Sequence, residues 1–382
     1  MNKTYKKTTY RRKNGARNNG SLYGKYKLPF PPLDPHKTSP ETEQAVLEVL
    51  NEGASRNTRR SYDDALNYWK SWFQLRYGKP FSLPVSIPVV QQFILDHLER
   101  TSLTGRISHG LPPEIDEFLV SDGCKRKTGP LAISTVRHRL AVLSNAHFSN
   151  KLQSPVKDIS VRQLLQSFQR TYARRGKTPD QKTAITAESL ELMLATCTDG
   201  LKGLRDRALL LFIWASGGRR RSEASAAMMR NLSQIDSRTY LYNLFHSKTD
   251  QMGSSARSCS NKPIVGRAAD ALTAWLEASG IRDGPIFRQV RGGKATDAIS
   301  DHSVCKIVKN RARLAGLIGN FGAHSLRSGF VTEAGRRGVP LGEAMALTGH
   351  RSVDVFLGYF QAGAVENSSA ANMLPETSLD SI

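Results

Sequence analysis

Four short segments of the chain gather side chains that can handle a phosphate. The first is Gly217-Gly218-Arg219-Arg220-Arg221-Ser222-Glu223, directly after the apolar run Ala208–Ala215. Two glycines let the backbone bend sharply where a helix ends, and guanidiniums are planar forks that fit phosphate oxygens. The second is His246-Ser247-Lys248-Thr249-Asp250, in a turn after a strand ending near Phe245. The third is His324-Ser325-Leu326-Arg327, in which His and Arg at i and i+3 share one helix face and can address one phosphate. The fourth is Gly349-His350, followed nine residues later by Tyr359 inside the apolar stretch 347–360. Taken singly, each has a plainer reading: an exposed basic turn, a solvated hairpin lysine, a surface pair anchored by Leu326, a core tyrosine. Their joint occurrence, in this order and in one basic chain, gives them weight.

The chain that must position them has 382 residues, with 55 Lys+Arg against 33 Asp+Glu and a net charge of +22. That length suits two or three domains, and 39% hydrophobic residues suffice for buried cores, which excludes wholesale disorder. The longest apolar run, Ala208–Ala215, is far short of the ~20 residues a membrane span needs. The N-terminus is polar and basic, without a signal-peptide apolar region. Residues 1–28 hold nine Lys/Arg and no acid, yet the remainder still carries +13. A basic tail alone would suit a nuclear signal, a ribosomal contact or a membrane surface; on a basic body it favours nucleic acid. The cysteines Cys124, Cys197, Cys259 and Cys305 lack zinc spacing and read as reduced thiols.

Organisation follows from periodicity. Residues 1–40 read as a flexible basic arm with a Pro-rich lead-in, and 41–173 as a helical domain. Its helices are expected at Thr58–Tyr77, at Pro88–Leu98, from a Ser134 cap onward with Arg137 and Arg139 pointing outward, and at Val161–Tyr172. The polar stretch 101–130 reads as a surface insertion. A basic, Gly/Pro-broken linker spans 174–186. Residues 187–362 then alternate helices, at about 187–197, 203–216, 267–279, 300–315, 325–337, 340–348 and 351–360, with strands near Tyr240–Leu244 and Pro263–Val265. The expectation is a mainly α protein: an all-helical N-terminal domain, then a mostly helical one with a small antiparallel β-sheet. The end of the chain, 363–382, is acidic, with Glu366, Glu376 and Asp380 and no Lys or Arg, and suits a protein contact exchanged between protomers.

On these motifs the chain resembles the tyrosine recombinases, the phage integrase family that includes Cre and the Xer proteins. The resemblance covers about 187–362 well and the N-terminal part loosely, through Ser55-Arg56-Asn57-Thr58. The family's Gly-x-Arg-x-Ser-Glu pattern falls on Gly218 to Glu223, and the Ser-Glu register selects Arg220 as catalytic; the family has an apolar residue where Arg219 stands. Its hairpin lysine corresponds to Lys248, its His-x-x-Arg box to His324 and Arg327, its Gly-His box to His350, and its nucleophile to Tyr359.

The resemblance implies site-specific recombination: cleavage and rejoining of duplex DNA through a 3′-phosphotyrosyl intermediate and a Holliday junction. It implies no metal or high-energy cofactor. Arg220 and Arg327 would neutralise the non-bridging oxygens, with His350 donating a further hydrogen bond. Tyr359, a phenol with a pKa of about 10, would attack as His324 takes its proton, and Lys248 would protonate the leaving 5′-oxygen. Glu223 would orient an arginine. DNA contacts are expected from Arg137, His138 and Arg139 on the third helix and from the linker residues Arg174, Arg175 and Lys177. The expected partners are double-stranded DNA bearing recombination sites, further copies forming a tetramer on DNA from solution monomers, and accessory DNA-bending proteins. The expected place is the cytoplasm of a bacterium, nucleoid-associated, encoded by chromosome, phage or plasmid. Two alternatives are a type IB topoisomerase-like enzyme and a non-catalytic sequence-specific DNA-binding protein.

Overall fold

The computed structural model describes residues 34–53, 56–102, 104–177, 182–244, 261–350 and 352–364. The arm up to residue 33, Lys248 with its turn, linker positions 178–181 and the tail from residue 365 lie outside the described residues. The chain divides into two compact units, one ending at Thr178 and one starting at Pro179.

The first unit is helical: α1 (Pro40–Gly53), α2 (Arg56–Tyr77), α3 (Ile87–His97), α4 (Pro113–Ser121), α5 (Ile133–Ser149) and α6 (Ile159–Arg174). A short antiparallel hairpin joins β1 (Arg100–Thr101) to β2 (Ile107–Ser108). Helix α2 turns Ala65, Tyr68, Trp69 and Trp72 inward at i, i+3, i+4, i+7 spacing, and all four are buried. Trp69 stacks on Phe93 of α3 at 3.8 Å between ring centroids. Both indole N–H groups are satisfied, Trp69 donating to the Arg139 carbonyl at 3.0 Å and Trp72 to Asp96 Oδ2 at 3.0 Å.

Two expectations for this unit need correction. Ser134 does not cap α5; Ala132 holds the N-cap position and Ser134 lies inside the first turn. The stretch 101–130 is no surface insertion, because Leu111 and Leu119 are buried in the unit's core. The buried Lys125 ties its loop to α4 through Asp116 and the Gly129 carbonyl, while Gly129 N–H donates to Asp116 Oδ2 at 2.6 Å. On helix α1, Val46, Val49 and Leu50 are exposed.

The second unit runs α7 (Ala187–Ala195), α8 (Leu201–Ala215), α9 (Arg221–Ser225), β3 (Leu232–Asp236), β4 (Thr239–Asn243), β5 (Asn261–Val265), α10 (Arg267–Ser279), β6 (Arg288–Arg291), β7 (Lys294–Ala298), α11 (Asp301–Leu314), α12 (Ala323–Arg336), α13 (Leu341–Thr348) and α14 (Val353–Ala364). Strands β3, β4 and β5 form an antiparallel sheet in sequence order, and β6 pairs with β7. The protein is therefore mainly helical with small antiparallel sheets. Helix α8 lies against α10 in the core, joined by Tyr240, Tyr242 and Ile264 from the sheet. A buried Asp206 on α8 holds Arg311 of α11 (Nη2–Oδ2 2.6 Å) and its neighbour Arg205, so each buried charge has an opposite partner.

Glycines bring two backbone segments, the stretch at Ile185 and α14, to α12. A Cβ at Gly329 would sit 1.7 Å from the Ile185 carbonyl oxygen, one at Gly335 would sit 2.1 Å from that of Phe360, and one at Gly363 would sit 1.8 Å from that of Thr332. Helices α12 and α14 thus meet backbone to backbone, and that seam fixes where α14 carries its tyrosine. Gly335→Ala should push α14 away and lower stability by about 1–3 kcal/mol, the usual cost of overpacking. Chemical denaturation checks this: an unchanged midpoint would show that the helices part without cost.

Candidate active site

The site begins where α8 stops. Gly217 and Gly218 both adopt left-handed φ, +86° and +69°, which side-chain-bearing residues rarely take. Close approach closes the position to any Cβ: at Gly218 it would fall 2.4 Å from Arg327 Cα, and at Gly217 2.6 Å from the Leu347 carbonyl oxygen. The double turn therefore threads the chain between α12 and the end of α13 and delivers Arg219 and Arg220 beside Arg327.

Glu223 organises the two neighbouring arginines. Its carboxylate accepts from Arg220 Nη1 at 2.8 Å and from the Arg220 backbone N–H at 3.3 Å, and lies 3.6 Å from Arg219 Nη1. Arg220 keeps part of its side chain in contact with solvent, whereas Arg219 is buried, 2% exposed, and donates to the carbonyls of Leu347 and Thr348. Adjacent arginines thus face opposite ways.

Arg327, on the second turn of α12, is 3% exposed. Its Nη1 donates to the Gly218 carbonyl at 3.2 Å, its Nε donates to His350 Nε2 at 3.2 Å, and its Nη2 is buried without a partner. Burial first, and then the charges of Arg220 and Arg219, press its pKa down to about 9. A guanidinium held this way, with one N–H edge unsatisfied, is a site built for an anion.

His350 follows Gly349, whose φ of +70° ends α13 in a left-handed turn. A guanidinium can only donate, so Nε2 of His350 must be the accepting nitrogen and Nδ1 must carry the proton. That proton goes to Thr348 Oγ1 at 2.8 Å, and the Thr348 hydroxyl donates in turn to the Met345 carbonyl at 3.2 Å. The expected donation from His350 to a phosphate is therefore not available in this arrangement: one ring nitrogen is committed to Thr348 and the other is a lone pair under Arg327. Burial, Arg327 and Arg220, in that order, lower the His350 pKa to about 4.

Tyr359 is half-buried on α14, with its ring 6.2 Å from that of His324 at an interplanar angle of 69°. His324 faces outward from the first turn of α12; partial burial and then the charges of Arg327 and Arg220 lower its pKa, which keeps the imidazole neutral near pH 7. Phe356, fully buried on α14, meets the His350 ring edge-on at 5.3 Å. One helix thus carries Tyr359 and braces His350.

Arg220, Glu223, His324, Arg327, His350 and Tyr359 are accordingly brought together; Lys248 lies outside the described residues. The other expected contacts lie on the first unit. Arg137 and His138 are exposed on α5, with His138 Nε2 2.9 Å from Ser61 Oγ. Arg139 does not point outward: its guanidinium lies 3.2 Å from the Tyr68 ring centroid, drawn in by the π face, and its Nη1 is buried. Arg174 is exposed, Lys177 pairs with Glu99, and Arg175 reaches the Glu99 carbonyl and Thr101. Sequence reasoning missed Arg219 and Thr348 as parts of the site. The one available signal was an arginine at a position that packs like an apolar one.

The phage integrase family model matches residues 183–363. An integrase/recombinase XerD homolog of Selenomonas ruminantium is 31% identical over 255 residues, 63% of this chain and 72% of that protein. The tyrosine recombinase XerC of Herpetosiphon aurantiacus is 30% identical over 172 residues, 44% of this chain and half of the other. Among solved structures, the XerH site-specific recombinase in a post-cleavage complex with palindromic difH substrate aligns at a TM-score of 0.53 with 17% identity, covering 89% of this chain and 91% of that one. The Tn1549 transposon integrase in complex with transposon right end DNA aligns at 0.52 with 13% identity, covering 85% and 96%.

The half-buried His350 imidazole gives a pH signature. Because the folded His350 pKa of about 4 lies below its ordinary value of 6.5, the unfolded chain binds more protons between those values. Stability should be fully present above pH 6.5 and fall as the pH drops toward 4. NMR titration of the histidine C–H signals should find the His350 midpoint near 4, and His350→Gln should weaken the pH dependence in that window, to which the buried His97, lowered to about 3, adds in the same sense.

Proposed function

The chain belongs to the phage integrase family, the tyrosine recombinases, and is by that membership a DNA strand transferase; we propose that it performs site-specific recombination through a covalent 3′-phosphotyrosyl intermediate. The observation that carries this reading is the buried Arg327, whose unpartnered Nη2 sits among Arg220, His324, His350 and the α14 helix bearing Tyr359.

In this mechanism a scissile phosphate fills the cationic recess, with Arg327 and Arg220 taking its non-bridging oxygens as charge builds on pentavalent phosphorus. The Tyr359 hydroxyl attacks phosphorus and its proton passes to the neutral His324. The bond from phosphorus to the 5′-oxygen breaks, and that oxygen takes a proton from Lys248. One phosphoester is made for each one broken, so a 5′-hydroxyl from another strand can reverse the step without an energy source. Exchange of strands between two sites gives the Holliday junction, and four copies on two sites give the tetramer. Packing of α14 on α12 of the same chain supports attack by each protomer on its own bound phosphate.

We further assign the segments 1–40, 41–173, 174–186, 187–362 and 363–382 the roles of arm, core-binding domain, linker, catalytic domain and acidic tail. The exposed Arg137, His138 and Arg174 are the best candidates of the first unit for backbone contacts to duplex DNA, the partner seen in the XerH and Tn1549 integrase structures. Such a protein works where its DNA is, in the bacterial cytoplasm.

Nicked duplexes cut from the DNA flanking its own gene, incubated with the protein and run on a denaturing gel, test the reading. The wild type should give a protein–DNA adduct and Tyr359→Phe none, with binding retained. Arg327→Gln should slow adduct formation by about 100-fold or more, the scale of losing one charge-stabilising donor. An adduct that survives Tyr359→Phe, or no adduct from the wild type on any flanking fragment, would overturn it.

A further inference from the structure

Among the described residues, the densest unexplained feature is a pair of buried cations aimed at the same helix end. Strand β5 alternates its burial, and the register sets Tyr242 opposite Lys262 and Tyr240 opposite Ile264. Lys262 therefore occupies a core-facing position, 2% exposed, where the alternation calls for an apolar side chain. Its Nζ donates to the Ala346 carbonyl at 2.9 Å. Arg219, equally buried, comes to the same place from the turn after α8.

The backbone of α13 explains why both are there. A helix leaves its last four carbonyls without intrahelical partners. Here those belong to Met345, Ala346, Leu347 and Thr348, and each has a named donor. Met345 takes the Gly349 N–H at 2.8 Å and the Thr348 hydroxyl, and Ala346 takes Lys262. Leu347 and Thr348 take Arg219 Nη2 at 2.7 and 2.9 Å. Two positive charges at the negative end of the helix dipole are favourable, and they stand at the turn that presents His350. An apolar side chain at residue 219 would fill the volume but leave two buried carbonyls bare beside the catalytic imidazole.

We propose that Arg219, supported by Lys262, is a positioning residue that clamps the end of α13 and thereby holds the Gly349-His350 turn with the His350 lone pair facing Arg327. The consequence for catalysis rests on the strand-transfer reading above; the consequence for His350 does not.

Two readouts keep these apart. Histidine-selective NMR of the full-length protein reports the His350 tautomer and titration, and the nicked-duplex assay reports adduct rate and DNA affinity. Arg219→Met should lose the Nδ1–H tautomer signature and move the His350 midpoint up toward 6.5. It should also slow adduct formation by about 100-fold, as a displacement of catalytic geometry by ~1 Å does, at unchanged DNA affinity. Arg219→Lys, which keeps the charge and one donor but not the fork, should recover part of the rate. Lys262→Met should shift the same His350 signals to a smaller extent. If Arg219→Met does not fold, the other two variants decide. His350 signals, tautomer and midpoint that stay as in the wild type in the folded variants would overturn the clamp. A wild type that forms no adduct would overturn strand transfer and leave the clamp to be decided by the NMR arm.

Discussion

Three guanidiniums share one carboxylate in the interior of the second unit, and the rest of the site is arranged around that imbalance. Arg219 and Arg327 are almost wholly buried, Arg220 stands beside them, and Glu223 pairs with Arg219 and Arg220 while acting on Arg327 only through its field. Uncompensated buried charge is expensive, so each cation must find neutral acceptors where it cannot find an anion. Arg219 finds the carbonyls of α13, and Arg327 finds the Gly218 carbonyl and the His350 lone pair. The two left-handed glycines after α8 follow from the same demand, since only a backbone without Cβ atoms can pass close enough to supply those contacts. Arg219 Nε and Arg327 Nη2 remain buried without partners, and the Nη2 edge of Arg327 is the place where an anion would complete the balance.

Much of this was legible in the sequence, and for identifiable reasons. Apolar periodicity marked α2 and α8, because helices that supply a core must repeat it at 3.6 residues. The paired glycines, the His-x-x-Arg spacing and the Gly-His pair marked the site, because phosphate chemistry restricts residue type and spacing together. Lys262 was not legible. The strand was expected to begin at Pro263, and one more pair of residues, down to Asn261, turns the lysine inward. Arg139 was misread because helical phase placed it outward, whereas a long flexible side chain can fold back onto an aromatic ring, here Tyr68. The core role of Leu119 was hidden by the polar residues around it, since a helix of nine residues carries too few apolar positions to declare a period.

The placement of Tyr359, the proposed nucleophile, depends on a feature of a different kind. Helix α14 is held by small residues as well as by the buried Phe356: Gly335 and Gly363 let its backbone meet that of α12. Close backbone approach leaves little freedom for sliding, because packed ridges must move together. Phe356 on the same helix touches the His350 ring, and Tyr359 one turn on faces His324. Any displacement of α14 would therefore move the tyrosine and disturb the imidazole at once, so in the proposed mechanism attack and charge stabilisation are mechanically joined.

The state of His350 follows from the same balance of charge. While Arg327 donates to Nε2, the ring must be neutral, and the chain of donors runs from Arg327 through His350 and Thr348 to the Met345 carbonyl. Bringing a phosphate to Arg327 changes two terms together. The guanidinium gains a stronger acceptor than an imidazole nitrogen, which releases Nε2, and a negative charge enters beside a ring held down chiefly by burial and positive neighbours. Both changes favour protonation of Nε2, and a protonated Nε2 can donate to the phosphate that caused it. In the proposed mechanism the donor role of His350 is thus a property of the anion-bound site, while in the free protein burial and then the neighbouring arginines keep the ring neutral.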